Sequence, residues 1–316
     1  MKIPGETQQW LLESDIPYVR YNAARLFKPG SEDAADLAKD PFIKENISCL
    51  KSWSSEILKQ HNRPDLLMHR LAMLADLGVT KDHPGMKAVI DTILKQTTPE
   101  GIPLTMIQIP KVFGGTDIPA LDWILCDFPL ILYALLKMRV KNQKIDEAVR
   151  KFQELVDENG FRCKGSIPKF KGPGRREDMC PIVNVFAARV FSASESLMKS
   201  KAASFAVEAL LSHWEKQKEK KYFMFGIGTD FKKLKFPLVW YNILHVLEPL
   251  SHFKGLRKDS RFLEMIDVLV SKADDVMRFT PESMYTIFKG RDFANKKEPS
   301  MTVTLFALRI VKRAGM

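Results

Sequence analysis

The stretch "CDFPLILYALLKMRV" (126–140) is followed, three residues later, by "KIDEAVRKFQELVD" (144–157). The first segment is apolar on nearly every side, as expected of a helix buried on two faces. The second spaces Ile145, Ala148, Val149 and Phe152 along one face and charges along the other, which predicts an outer, amphipathic helix. A link as short as "KNQ" (141–143) makes the two antiparallel. One helical hairpin is therefore written into residues 126–157.

The same couplet recurs along the chain. "DLLMHRLAMLADLG" (65–78) precedes "HPGMKAVIDTILKQ" (83–96), with Gly78 as a helix stop and Pro84 early in the second helix. "CPIVNVFAARVFSAS" (180–194) precedes "KAASFAVEALLSHWEKQ" (201–217), and "FPLVWYNILHVLEPLSH" (236–252) precedes "DSRFLEMIDVLVSKADDVM" (259–277). A last helix, "SMTVTLFALRIVKRAG" (300–315), ends the series. The apolar members begin near residues 66, 126, 180, 238 and 301, so the repeat is irregular but sustained. Repeated helix pairs build a solenoid or a closed ring. Long connections at 98–124, 158–179, 218–235 and 279–299 alternate with the short ones, which places every long loop and every inner-helix N-terminus at one end. The expected fold is all-α, an α/α toroid of about five to six hairpins. It forms a single domain over 1–316, with the helical segment 1–40 completing the ring.

Bulk properties agree with a soluble chain. Of its 316 residues 45% are hydrophobic, enough for a sizeable core. The run "FPLILYALL" (128–136) is far short of the roughly 20 apolar residues a membrane span needs. The opening "MKIPGETQQW" carries no export signal, and four cysteines in such a length are no disulfide scaffold, so a cytoplasmic location is expected. The net charge of +11 suggests an anionic partner. With no block of like charge and no nucleic-acid-binding motif, nucleic acid is not the expected one.

Six further blocks stand out in order: "QQWLLESDIPYVRYNAARLF" (8–27), "MLADLG" (73–78), "ENGFRCKG" (158–165), "GRREDMCPIVN" (174–184), "FPLVWYNILHVLEPL" (236–250) and "PSMTVTLFALRIVKRAG" (299–315). Together they resemble the prokaryotic squalene-cyclase-like or prenyltransferase-like proteins of the terpenoid cyclase superfamily. The resemblance spans nearly the whole chain and implies an α/α toroid, in agreement with the repeats. The proton-donating Asp-x-Asp-Asp of the cyclases is missing: Asp274 and Asp275 are adjacent, but Lys272 stands at the leading place. The magnesium-binding Asp-Asp-x-x-Asp is missing too, because Val276, Met277 and Arg278 follow Asp275. Squalene cyclisation is disfavoured. Protein prenyltransferases hold zinc with an Asp-x-Cys at an inner-helix start and a later histidine. Asp178-Met179-Cys180 has that local form, whereas the later helix start reads "FPLVWYN" and His245 lies two turns further in.

The residues themselves suggest a second metal arrangement. Cys126 and Cys180 both begin apolar helices, and Cys163 lies in the loop between their pairs. Helix N-termini favour the thiolates that a soft metal such as zinc requires. Asp178, Asp127 or a water would be the fourth ligand. The spacings match no standard zinc pattern, and the plain alternative is three buried cysteines. Cys49, in "NISCLKSW", reads as packing.

Lys171, Arg175 and Arg176 head the cations of the long loops, and Trp240 and Tyr241 the aromatics of the apolar helices. Together they suggest a cavity for an apolar small molecule with an anionic head, such as an isoprenoid diphosphate. The alternatives are solvated loops with aromatic core packing, a non-catalytic binding or scaffold protein, and a zinc-dependent transferase. Carbohydrate chemistry would need a more polar inner lining. His69 and His245 read as satisfied core residues. Whether any ligand is chemically altered is left open by the sequence.

Overall fold

A computed structural model describes residues 3–316 apart from 173, 176, 177 and 220–224. The described residues are mostly helical. In chain order the elements are α1 (Gly5–Leu12), α2 (Pro17–Phe27), α3 (Ala34–Lys39), α4 (Pro41–Leu50), β1 (Ile57–Leu58), α5 (Leu67–Asp76), α6 (Met86–Lys95), β2 (Thr105–Ile107), β3 (Ala120–Asp122) and α7 (Phe128–Lys137). There follow α8 (Gln143–Glu154), α9 (Pro181–Phe191), α10 (Glu195–Met198), α11 (Lys201–Glu215), α12 (Thr229–Lys232), α13 (Ile243–Leu250), α14 (Ser260–Val270) and α15 (Met301–Ala314). No helix is long and apolar enough among the described residues to cross a membrane. The chain divides into two compact units, one made of 46–226 and the other of 1–45 with 227–316.

In the unit 46–226 the expected inner helices pack in series, α5 on α7 and α7 on α9, with α11 covering α9. Every residue of α9 is buried, as is α7 from Phe128 to Leu135. Local chemistry ends and restarts each helix. After α5, Gly78 turns at φ 96°, a conformation cheap only for glycine, and its neighbour's amide reaches back from Val79 to Leu74. Before α8, the Asn142 carboxamide accepts from the Lys144 amide at 2.9 Å. Ser200 caps α11 the same way through Ala203.

Beside these helices the chain departs from a purely helical reading. β1 pairs in parallel with β2, and β2 antiparallel with β3, in the order β1-β2-β3. The strands are two or three residues long, too short for alternation to show in the sequence. Two helix boundaries also differ from expectation. Pro84 lies outside α6, which starts after Gly85 in a left-handed turn. The apolar run from 236 becomes helical only at Ile243, where the Asn242 side chain accepts from the His245 amide at 3.0 Å. Trp240 and Tyr241 therefore belong to an irregular approach segment and not to an inner helix.

In the other unit, α13 packs with α14 and α15, and α15 with α2. Asp292 holds the start of α15: its carboxylate accepts from the Met301 and Thr302 amides at 3.0 and 2.8 Å and from the Ser300 hydroxyl at 2.7 Å. Segment 1–40 is helical as expected, and Tyr18 of α2 meets Thr302 of α15 oxygen to oxygen at 2.8 Å.

A buried polar triad ties α5, α7 and α9 together. Tyr133 donates to Asp76 Oδ1 at 2.5 Å, and the Arg189 guanidinium donates to Asp76 Oδ2 at 2.5 Å while lying 4.1 Å from the centre of the Tyr133 ring. Arg189 is wholly buried. A carboxylate and a guanidinium tolerate such burial only because each answers the other. Arg189→Met should cost about 3–5 kcal/mol in urea unfolding, whereas Asp76→Leu combined with Arg189→Met should recover most of that loss.

Candidate functional site

Three connections converge at the N-terminal ends of α7 and α9. The chain leaves β3 at Asp122 and enters α7 five residues later, passing through Cys126 and Asp127. The segment 161–166 runs alongside: the Leu125 amide donates to Lys164 O at 2.8 Å, and the Ser166 amide to Trp123 O at 3.2 Å. This approach is so close that a Cβ on Gly165 would stand 2.6 Å from Ile124 Cγ2, so only glycine fits. On its other side, the segment is tied to α9. The Cys180 amide donates to Phe161 O at 2.8 Å.

Asn184, one turn into α9, completes that tie. Its Oδ1 accepts from the Phe161 amide at 2.9 Å, and its Nδ2 donates to Phe161 O and to Cys180 O, each at 2.9 Å. Gly160 before it turns at φ 98°, with the space for a side chain already taken by Asn184 and Ala209. Beneath lies an aromatic floor. Phe152 stacks on Phe161 at 4.6 Å and on Phe191 at 5.5 Å, and meets Phe128 edge-on at 5.4 Å. These rings fill the core of this unit, so Phe128 and Phe191 are packing residues.

The outcome is that Cys126, Cys163 and Cys180 are brought to one place, each beside a backbone bond that ties its segment to the next. They are near enough for each thiol to act on the ionisation of the others. Burial opposes ionisation of Cys180, but the Cys126 and Cys163 thiols and the Val183 and Ile182 amides at the start of α9 outweigh it, and its sulfur is held well below the ordinary range. Cys126 goes the other way, pushed well up by its contacts with Cys163 and Cys180 and by burial. For Cys163 the bond with Cys126 lowers the value, but Cys180 and burial raise it more. Cys180 is buried, while Cys126 and Cys163 are half-buried. Among the described residues, no group of three or more His, Cys, Asp or Glu already stands as a metal-ligand set. What is present is three neighbouring free cysteines.

His61 adjoins the cluster from the loop after β1. Its Nδ1 lies 2.6 Å from Asp127 Oδ1, and the other Asp127 oxygen accepts from the Thr105 hydroxyl at 3.3 Å. Burial lowers the imidazole pKa, but the Asp127 charge and hydrogen bond, with the Cys180 charge behind them, raise it above its ordinary value. His69 of α5 pins the same loop, its Nε2 standing 2.7 Å from His61 O. Burial draws the His69 pKa down to about 4, and only its Nε2 is partnered, its buried Nδ1 having no hydrogen bond among the described residues. His245 has Trp240 O at 3.0 Å from its Nδ1.

No family model matches the chain, and no curated protein does.

The remaining expected site residues fare differently. Asp178 is buried two positions before Cys180, its amide bonded to Arg175 O at 3.1 Å. Lys171 and Arg175 are exposed on the loop that joins Cys163 to Cys180, and Arg176 lies outside the described residues. Trp240 is half-buried; Tyr241 is buried and packs 5.0 Å from Phe231. These two aromatics belong to the unit 1–45 with 227–316, and the cysteines to the other. Cys49 sits half-buried in α4. A pocket of about 700 Å³ opens on α1, α2 and α3, with a mixed lining of Gln8, Gln9, Arg20 and Asp36 beside Leu12 and Tyr21.

Sequence reading missed His61 and Asn184. "QHNRPD" (60–65) has no ligand spacing, and only the parallel pairing of β1 with β2 brings it to Asp127. Asn184 had one visible signal, a polar residue in the all-apolar helix "PIVNVFAARVF". Asn184→Ala should strand the Phe161 amide, while the Phe161 carbonyl keeps the Cys180 amide, costing about 1–3 kcal/mol. It should also speed the reaction of Cys126 and Cys163 with an aromatic disulfide reagent, whereas Asn184→Asp, which keeps the acceptor for that amide, should lie between wild type and the alanine variant.

Proposed function

We propose that the unit 46–226 binds a soft divalent metal, zinc in the first instance, through Cys126, Cys163 and Cys180. One observation carries this reading: three free cysteines separated by 37 and 17 residues are brought to one place by the bonds of Leu125 to Lys164, of Cys180 to Phe161 and of Asn184 to Phe161. The structure shows no disulfide among them. Three neighbouring thiols gain little as a core, since each is a small hydrophobe with a weak donor. One dication would bind all three sulfurs at once as thiolates, releasing their protons. Zinc bound there would join the β3–α7 connection, the segment 161–166 and the start of α9.

The wider fold proposed is the α/α toroid of the terpenoid cyclase superfamily. It is supported by the hairpin order, by the serial packing of α5, α7 and α9, and by the family-like blocks in the sequence. The ligand proposed for it is an apolar small molecule with an anionic head. The exposed Lys171 and Arg175 support this, lying on a loop anchored at both ends beside the sulfurs. A non-catalytic binding protein is the reading that asks least of the residues, since no proton-donating acid motif is present.

Elemental analysis of gently purified full-length protein should find about one zinc per chain. Cys126→Ser, Cys163→Ser and Cys180→Ser should each lower the metal content severely, and Cys49→Ser should not. Metal-free wild-type protein would end the metal reading. In native mass spectrometry with a series of isoprenoid diphosphates, Lys171→Glu with Arg175→Glu should weaken binding about tenfold or more, as expected of losing two charge-assisted contacts. Equal binding of the corresponding alcohols would remove the anionic head from the proposal.

A further inference from the structure

We infer that His61 is the fourth metal ligand, through Nε2, and that Asp127 is its positioning residue, so that the site is a closed Cys3His shell. This inference rests on the metal reading of Cys126, Cys163 and Cys180. It changes what the metal does. Three protein ligands and a water leave a position for substrate, whereas four protein ligands make a structural staple.

The geometry supplies each part. His61 Nδ1 is 2.6 Å from Asp127 Oδ1, which leaves Nε2 as the nitrogen available to a metal. Metal-bound imidazoles are characteristically fixed in this way by a carboxylate on the other nitrogen. The Asp127 side chain is 1% exposed, and Thr105 holds its second oxygen. A carboxylate so deep in the protein needs a partner, and His61 is placed to be one. Asp127 also follows Cys126 directly, so a single peptide unit sets the distance between one ligand and the group that aims another. His61 therefore meets the residue that directly follows one of the proposed sulfur ligands, at the N-terminal end of α7. The loop that carries it is held from behind by His69. One nitrogen and three sulfurs are a donor set suited to zinc, and poorly suited to magnesium or calcium.

Asp178 is the competing fourth ligand. It is buried two residues before Cys180 and has the Asp-x-Cys form. The two candidates make different shells, Cys3His and Cys3Asp.

Cobalt(II) loaded into the full-length protein separates them. Wild type should show thiolate-to-metal charge transfer together with the intense visible bands of a four-coordinate ion. His61→Ala should keep the charge transfer but shift the visible bands, weaken cobalt binding more than 100-fold, and be restored in part by added imidazole. Asp127→Asn should keep the wild-type bands and lose about 10–100-fold in affinity. His61→Cys, which replaces the ligand without opening the shell, should retain the metal and strengthen the charge transfer. Unchanged bands and affinity in His61→Ala, with altered bands in Asp178→Asn, would overturn the inference and leave the three-thiolate site standing. Absence of charge transfer in the wild type would overturn both.

Discussion

The hydrogen bonds between Asn184 and Phe161 are the constraint on which the sulfur cluster depends. Backbone amides and carbonyls away from regular structure must find partners, and here one carboxamide serves both polar groups of a single residue. Because Asn184 belongs to a helix with every side chain buried, it has no freedom to move, and neither has the segment it holds. Cys163 is thereby placed two residues from a fixed point. Its distance to Cys180 follows from the amide bond between Cys180 and Phe161, and its distance to Cys126 from the pairing of Leu125 with Lys164.

A second polar device works deeper in the same unit. Asp76, Tyr133 and Arg189 come from three successive inner helices, and their contacts fix the rotation of each helix about its axis. Apolar packing alone is permissive about such rotations, while a buried ion pair is not. Holding α7 and α9 in register also holds their N-terminal ends, where Cys126 and Cys180 lie. The sulfur site and the buried triad are thus two consequences of one helix arrangement.

The hairpins were legible because their signal is long. Ten or more residues of apolar or amphipathic periodicity, ended by Gly78 or restarted by Asn142 and Ser200, are hard to misread. The cysteines were legible for a related reason: two of them open inner helices, and helices in series carry their starts together. The sheet was not, because its strands are no longer than three residues and depend on partners some 50 residues away. His61 escaped for the same cause. The expected start of α13 at 236 failed because the helix is capped only at Asn242, whose side chain accepts from the His245 amide inside the apolar run. That shift removed Trp240 and Tyr241 from the helix.

Lys169, Lys171 and Arg175 are exposed on the stretch of chain that runs from Cys163 to Cys180. Loop-closure entropy makes the position of those cations depend on how firmly the two cysteines are held. Thermodynamic linkage then works in both directions. If the proposed dication holds Cys163 and Cys180 together and so raises the affinity for an anion by some factor, the anion must raise the affinity for the dication by that same factor. On the proposed reading the chain between the two cysteines would couple two chemically distinct ligands that never touch.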